Sequence, residues 1–166
     1  MQHVSAPQDK ELHELNIKIG ATLIPCGNER LRQTVAAKQA AAESAAPAAN
    51  ASRLSYNSKT DKAVQGGGEL IDAIKEGKMK LEEVKTDDLP ENLRKLSPEA
   101  LKAHVAAQQA ERETLQKRIA ELVKERDAYL VAERKKLVTS GKTDSFDEQV
   151  AQTLRKQAAP KDIRFE

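Results

Sequence analysis

The chain has 166 residues, with 28 basic and 26 acidic side chains and a formal net charge of +2. Hydrophobic residues make up 39%, but 25 of them are alanine, and aromatic residues are only 2%. Burial of apolar area is worth about 25 cal/mol per Å², so a chain this poor in Phe, Trp and Ile excludes a thick sandwich core and favours helices packed along narrow stripes.

The charges are of both signs and interspersed, as on solvated helix faces, with no basic stripe for nucleic acid. No stretch approaches the ~20 apolar residues of a membrane span. The single cysteine, Cys26, excludes an internal disulfide. The polar start MQHVSAPQDKEL does not read as a signal peptide, and a soluble chain is expected.

Residues 1–8 carry no pattern and read as disordered or a junction. DKELHELNIKIGATLIP then predicts a helix capped by Asp9, with Leu12, Leu15 and Ile19 on one face and Gly20 as its stop. TLIP reads as a short extended piece ended by Pro25, with CGN as a turn. Nothing nearby in sequence offers this helix an obvious partner surface. NERLRQTVAAKQAAAESAA predicts a second helix capped by Asn28, exposed or loosely packed past Val35. Pro47 interrupts it, and PAANASRLSYNSKT restarts a helix anchored by Leu54 and Tyr56. A flexible alanine-rich linker is the competing reading of residues 28–62.

The stretch AVQGGGELIDAIKEG places three glycines before a short helix with Leu70, Ile71 and Ile74 inward and Gly77 as its stop. A helix N-terminus with free N–H groups attracts anions, so Gly66, Gly67 and Gly68 are a candidate nucleotide or anion loop. A phosphate loop needs Lys and a hydroxyl after the last glycine; here Glu69 follows, a negative charge suited to the helix dipole. The glycines therefore read as a mobile hinge. Beyond them, Asp87 or Asp88 is expected to cap a short helix near Pro90. Ser97 caps a long one, with Pro98 at its first position.

That helix, about residues 97–138, dominates the sequence. Steps of four and three from Leu101 meet Val105, Gln108, Arg112, Leu115, Ile119, Leu122, Arg126, Tyr129 and Glu133. The spacing is that of a coiled coil, but a self-sufficient zipper would be more apolar. Glu113 and Lys117 form a favourable i,i+4 pair on it. After a break at Gly141, SFDEQVAQTLRKQAA predicts a final helix with Phe146, Val150 and Leu154 on one face, folding back as a hairpin. The expected architecture is all-α and elongated, with boundaries at 9–27, 28–62, 63–96, 97–160 and a tail at 161–166.

No motif here carries catalysis. His3, His13 and His104 are isolated, no His or Cys pair has zinc spacing, and Cys26 reads as a structural thiol rather than a nucleophile. The expectation is a non-enzyme with no metal and no cofactor.

Five segments in order, DKELHELNIKIGATLIPCG, AVQGGGELIDAIKEG, LPENLRKLSPEALKAHV, RDAYLVAERKKL and SFDEQVAQTLRKQAA, resemble the C-terminal region of bacterial von Willebrand factor A (VWA) domain proteins. The resemblance runs from Asp9 to Ala159. It implies that residues 9–27 are the last helix and exit strand of a VWA-like domain whose sheet lies upstream. The family's position equivalent to Cys26 is more often aromatic. The family's metal motif, D-x-S-x-S, does not occur here, so none of its ligands carries over. Export is typical of the family, which implies an extracytoplasmic location.

Two functions follow as expectations. One is a protein–protein interaction or scaffold module, the helical appendage of a VWA-type adhesion protein, with contact residues Leu115, Ile119, Leu122 and Tyr129. Its partner is another protein or an upstream VWA domain in cis, and helix-mediated self-association is a further possibility. Intramolecular packing by the 145–159 helix is the alternative use of the same stripe. The other function is a stand-alone protein binding an anion or nucleotide at Gly66–Gly68.

Overall fold

A computed structural model describes residues 4–139 and Thr153. The fold is all-α, and the described residues hold five α-helices and a single isolated β-bridge. The chain divides into two units, residues 7–126 and a second made of residues 1–6 and 127–166. The described part of the second unit is residues 4–6, the end of the long helix and Thr153. The expected 145–159 hairpin helix lies outside the described residues.

Helix α1 (Asp9–Ala21) buries Leu12, Leu15 and Ile19, as its spacing predicts. Its cap differs from expectation. Gln8 holds the N-cap position without a side-chain bond, and Asp9 lies inside the helix, buried. Gly20 does not stop the helix either. A Cβ there would stand 2.0 Å from Gln39 Nε2, so the glycine makes room for a side chain of the next helix.

Helix α2 (Glu29–Ser44) begins where Asn28 Oδ1 accepts from the Leu31 N–H at 2.9 Å, satisfying one of the first-turn donors left free by helix geometry. Helix α3 (Pro47–Thr60) restarts with proline at its first turn, where the missing N–H costs nothing. The alanine-rich tract is therefore helical, and past Val35 α2 is mostly exposed, as expected, with Gln39 and Ala42 as its buried residues there. Val35 and Ala42 of α2 and Ala48, Ala51 and Leu54 of α3 are buried. Alanine contributes little apolar area but lets helix axes approach closely. Tyr56, expected as an anchor, is 59% exposed.

Helix α4 (Leu70–Lys75) is one and a half turns, stopped at Gly77 with φ +68°. Before it, the chain pairs briefly with the segment after α1: Leu70 N–H donates to Ile24 O at 2.9 Å and Cys26 N–H to Gly68 O at 2.7 Å. Short 3-10 turns at Leu81–Glu83 and Thr86–Asp88 follow. The side chains of Asp87 and Asp88 cap no helix there. The Asp87 carbonyl instead accepts from Arg32 Nη1 at 2.9 Å and Arg94 Nη2 at 3.2 Å. Helix α5 (Pro98–Thr139) starts at Ser97, whose Oγ accepts from the Ala100 N–H at 3.2 Å.

The core of the 7–126 unit has two apolar clusters. Leu12, Leu15, Ile19, Ala51, Leu54, Ile119 and Leu122 join α1, α3 and α5. Ile24, Cys26, Leu70, Ile71, Leu89, Leu93 and Val105 join the 22–26 segment, α4, the turn region and the start of α5. Helix α5 is common to both. The apolar face of α1 is thus filled within this chain by α3 and α5, and it needs no upstream sheet to cover it.

Candidate functional site

On α5, Val105, Arg112, Ile119 and Arg126 follow one another at intervals of seven residues, and all four are buried. Seven residues span about 10.5 Å of helix, so Arg112 stands midway between the cluster around Val105 and the cluster around Ile119. Two of the four polar seam positions that weaken a zipper, Arg112 and Arg126, are thereby explained. They enter the core as paired charges.

Arg112 uses all five of its N–H groups. Nε donates to Thr22 Oγ1 at 3.1 Å and Nη2 to the Thr22 carbonyl at 2.7 Å. Nη1 and Nη2 form a fork on Glu69, at 2.8 and 2.9 Å, and Nη1 also reaches Asp72 Oδ1 at 3.1 Å. The acids are held in turn by backbone. Glu69 Oε1 accepts from Ile24 N–H at 2.9 Å and Oε2 from Asp72 N–H at 2.7 Å. Asp72 Oδ2 accepts from Ala63 and Val64 N–H at 3.0 and 3.2 Å. Buried charge is tolerated when it is paired and its remaining hydrogen-bonding capacity is met, and this network meets it. Two carboxylates share one guanidinium, however. Burial, and then the neighbouring Glu69, push the Asp72 pKa up against the opposing pull of Arg112.

The glycine loop serves this network. Glu69 caps α4 with its own carboxylate, so the N–H that an anion would seek is already bonded. Gly66 and Gly68 have φ of +96° and +95°, and a Cβ on Gly68 would lie 2.6 Å from Leu31 Cγ. Lys38 Nζ holds the Gln65 carbonyl at 2.8 Å. The loop is a tight turn packed on α2 rather than an open hinge.

Arg126 is the second buried cation. Its Nε donates to Asp9 Oδ1 at 2.6 Å, and Nη2 reaches Ser52 Oγ at 3.3 Å and the Ala48 carbonyl at 3.4 Å. It ties the start of α1 to α3 and α5, which accounts for the buried Asp9.

Of the four seam residues expected to meet a partner, Ile119 and Leu122 are 3% and 2% exposed and belong to the first cluster. Leu115 packs half-buried against it, and Tyr129 is half-buried. The stripe is covered by α1 and α3, so the first three are not free for a partner in this conformation. Ile119 nevertheless reaches one open feature. A cleft of about 320 Å³ has a floor of Ile19, Leu54, Ala63, Ile119 and Ala120. Its rim is charged, with Asp61, Lys62 and Lys75 on one side and Glu113 and Lys117 on α5. Lys75 pairs with Asp61 across this rim and Lys62 with Glu76 beside it. Sequence reasoning had no access to the cleft, because its floor comes from four separate segments.

Cys26 is buried against the Met79 sulfur at 3.9 Å. Burial and then the Asp88 charge push its pKa up, away from the thiolate that a nucleophile needs. Among the described residues, no three His, Cys, Asp or Glu side chains gather to hold a metal ion. No described helix is long and apolar enough to cross a membrane.

No protein-family model, no curated protein and no solved structure matches this chain.

Proposed function

We propose that the chain is a non-enzymatic protein–protein interaction module. The observation that carries this reading is the cleft over Ile19, Leu54 and Ile119. It is an apolar floor large enough for one or two aliphatic or aromatic side chains, ringed by charges that orient what enters. Pockets of roughly 300 Å³ and above with few convergent polar groups are the ordinary form of a binding site. Among the described residues, the fully buried arginines Arg112 and Arg126 are paired with carboxylates of the same chain.

A narrower reading places this module as the helical C-terminal appendage of a VWA-type adhesion protein, acting outside the cytoplasm. The ordered resemblance of five segments supports it. The filled face of α1 removes one argument for it, since that helix has its partner in this chain. Self-association through the seam is disfavoured for the same reason, and the stripe is not the contact surface of choice.

A photo-crosslinking residue at Gln116, beside the cleft, tests the interaction reading in the native cells. Crosslinks to one protein from Gln116, absent when Ala120 on the cleft floor is replaced by Glu, are the expected result. Equal crosslinking from Gln116 and from the exposed Tyr56 on α3 would reject the cleft as the docking surface. Calorimetric titration with ATP and GTP checks the anion alternative at Gly66–Gly68, and no heat is expected because Glu69 occupies the helix start.

A further inference from the structure

The cleft and the buried Arg112 network meet at one turn of the chain, residues 61–64. Asp61, Lys62 and Ala63 line the cleft. The chain reaches it from the end of α3 through Asp61, whose φ is +54°. Among the described residues it is the only one other than glycine with a positive φ. Aspartate visits the left-handed region more readily than most L-residues, and such a conformation persists where its surroundings over-determine it.

Two buried polar side chains do so here. Asn57, in the last turn of α3 and itself a lining residue of the cleft, donates from Nδ2 to the Ala63 carbonyl at 3.1 Å. Its own carbonyl accepts from the Lys62 N–H at 3.3 Å. Asp72, on α4, accepts from the Ala63 and Val64 N–H groups on the single oxygen Oδ2, at 3.0 and 3.2 Å.

Asp72 is not a lining residue of the cleft, and Arg112 does not depend on it for a counter-charge, since it already makes a fork on Glu69. Burial, and then Glu69, raise the Asp72 pKa, so its charge weakens the folded state at neutral pH. What the carboxylate does supply is two bonds to the turn that walls the cleft. Stability given up to hold a surface in one shape is a recurrent trait of functional sites.

We propose that Asp72 is a positioning residue of the cleft, holding the 61–64 turn in the shape that receives a partner's apolar side chain. The proposal rests on the interaction reading above. It adds a residue that acts on the cleft from outside it, through the Ala63 and Val64 amides.

The test compares the wild type with Asp72→Asn, which keeps the volume, removes the charge and leaves Arg112 its fork on Glu69. At pH 7 the thermal midpoint is measured, with amide exchange at Ala63 and Val64. Binding of N-acetyl-leucine amide is followed by the methyl NMR signals of Leu54 and Ile119. The variant is expected to melt no lower than the wild type and to exchange the two amides about tenfold faster, because a neutral acceptor replaces a charged one. It should bind the probe about fivefold more weakly, since the wall is no longer pre-organised. A variant that melts lower, or fails to fold, overturns the proposal, because a carboxylate that only stabilises gives that result. Unchanged exchange at both amides overturns it as well. Equal binding by the two proteins would sink the assignment of Asp72 alone, whereas no saturable binding to the wild type would sink the cleft reading and this assignment with it.

Discussion

Arg112 and Arg126 occupy equivalent places on α5, two heptads apart, yet they do different things. Arg112 crosslinks three segments that are distant in sequence, through Thr22, Glu69 and Asp72, with five hydrogen bonds of 2.7–3.1 Å. Arg126 makes one short bond to Asp9 and two long ones to α3. A charge in a core is therefore not one kind of feature. Its worth depends on how many chain segments lose their polar partners when it is removed.

The largest effect should come from Arg112→Met. Removing one partner of a buried ion pair costs about 3–5 kcal/mol because the other charge is left unpaired, and here two carboxylates are left. Urea unfolding followed by circular dichroism should show that loss, with most of it recovered when Glu69→Gln and Asp72→Asn are added. Arg126→Met should fall at or below about 3 kcal/mol in the same assay, since one carboxylate rather than two loses its arginine. An equal loss for the two variants would erase the distinction drawn between them.

Gly68→Ala comes next, at about 2 kcal/mol, from the positive φ and from the collision with Leu31. A mobile hinge would tolerate this change, so its thermal midpoint separates a packed turn from a hinge. Asn28→Ala removes a cap and should cost about 1 kcal/mol.

The pH dependence sharpens the account of the Arg112 site. The Asp72 pKa is raised in the folded state, so between its unfolded and folded values the native protein binds more protons than the unfolded chain. The contribution of Asp72 to stability is then fully present below its unfolded pKa and is lost as pH rises through the folded one. Stability measured from pH 3 to 7 should therefore fall less with rising pH in Asp72→Asn than in the wild type, once the other acids are subtracted by that comparison. A curve that is steeper in the variant would show that Arg112 outweighs burial at this carboxylate.

How far the sequence discloses this molecule follows from what kind of signal each feature leaves. Helix ends marked by local chemistry are legible: Asn28, Pro47, Ser97 and Gly77 act as their residue types imply. The stripe of α5 is legible as a stripe, but its occupant is not, because α1 and α3 reach it from far away in sequence, 117 residues for Asp9 and 74 for Ser52 at Arg126. Asp9 reads as a cap and Gly20 as a stop only while each is seen with its neighbours in sequence. Arg126 and Gln39, distant in sequence, give them their actual roles. Glu69 was legible as a partner of its helix and not as a partner of Arg112. Arginine recurring every fourteen residues on an otherwise apolar face was the available sign of buried pairing. The cleft left no linear pattern, since it is assembled from separate segments of the chain.

The most direct test of the central claim is a double-mutant cycle on Arg112 and Glu69. Arg112→Met, Glu69→Gln and the double variant would be compared with the wild type by urea unfolding. If the buried fork joins the two apolar clusters, the single losses should sum to well over the double loss, with a coupling of about 2 kcal/mol or more. Additive losses would mean that the two side chains act independently, and that α5 is held across both clusters by apolar packing alone.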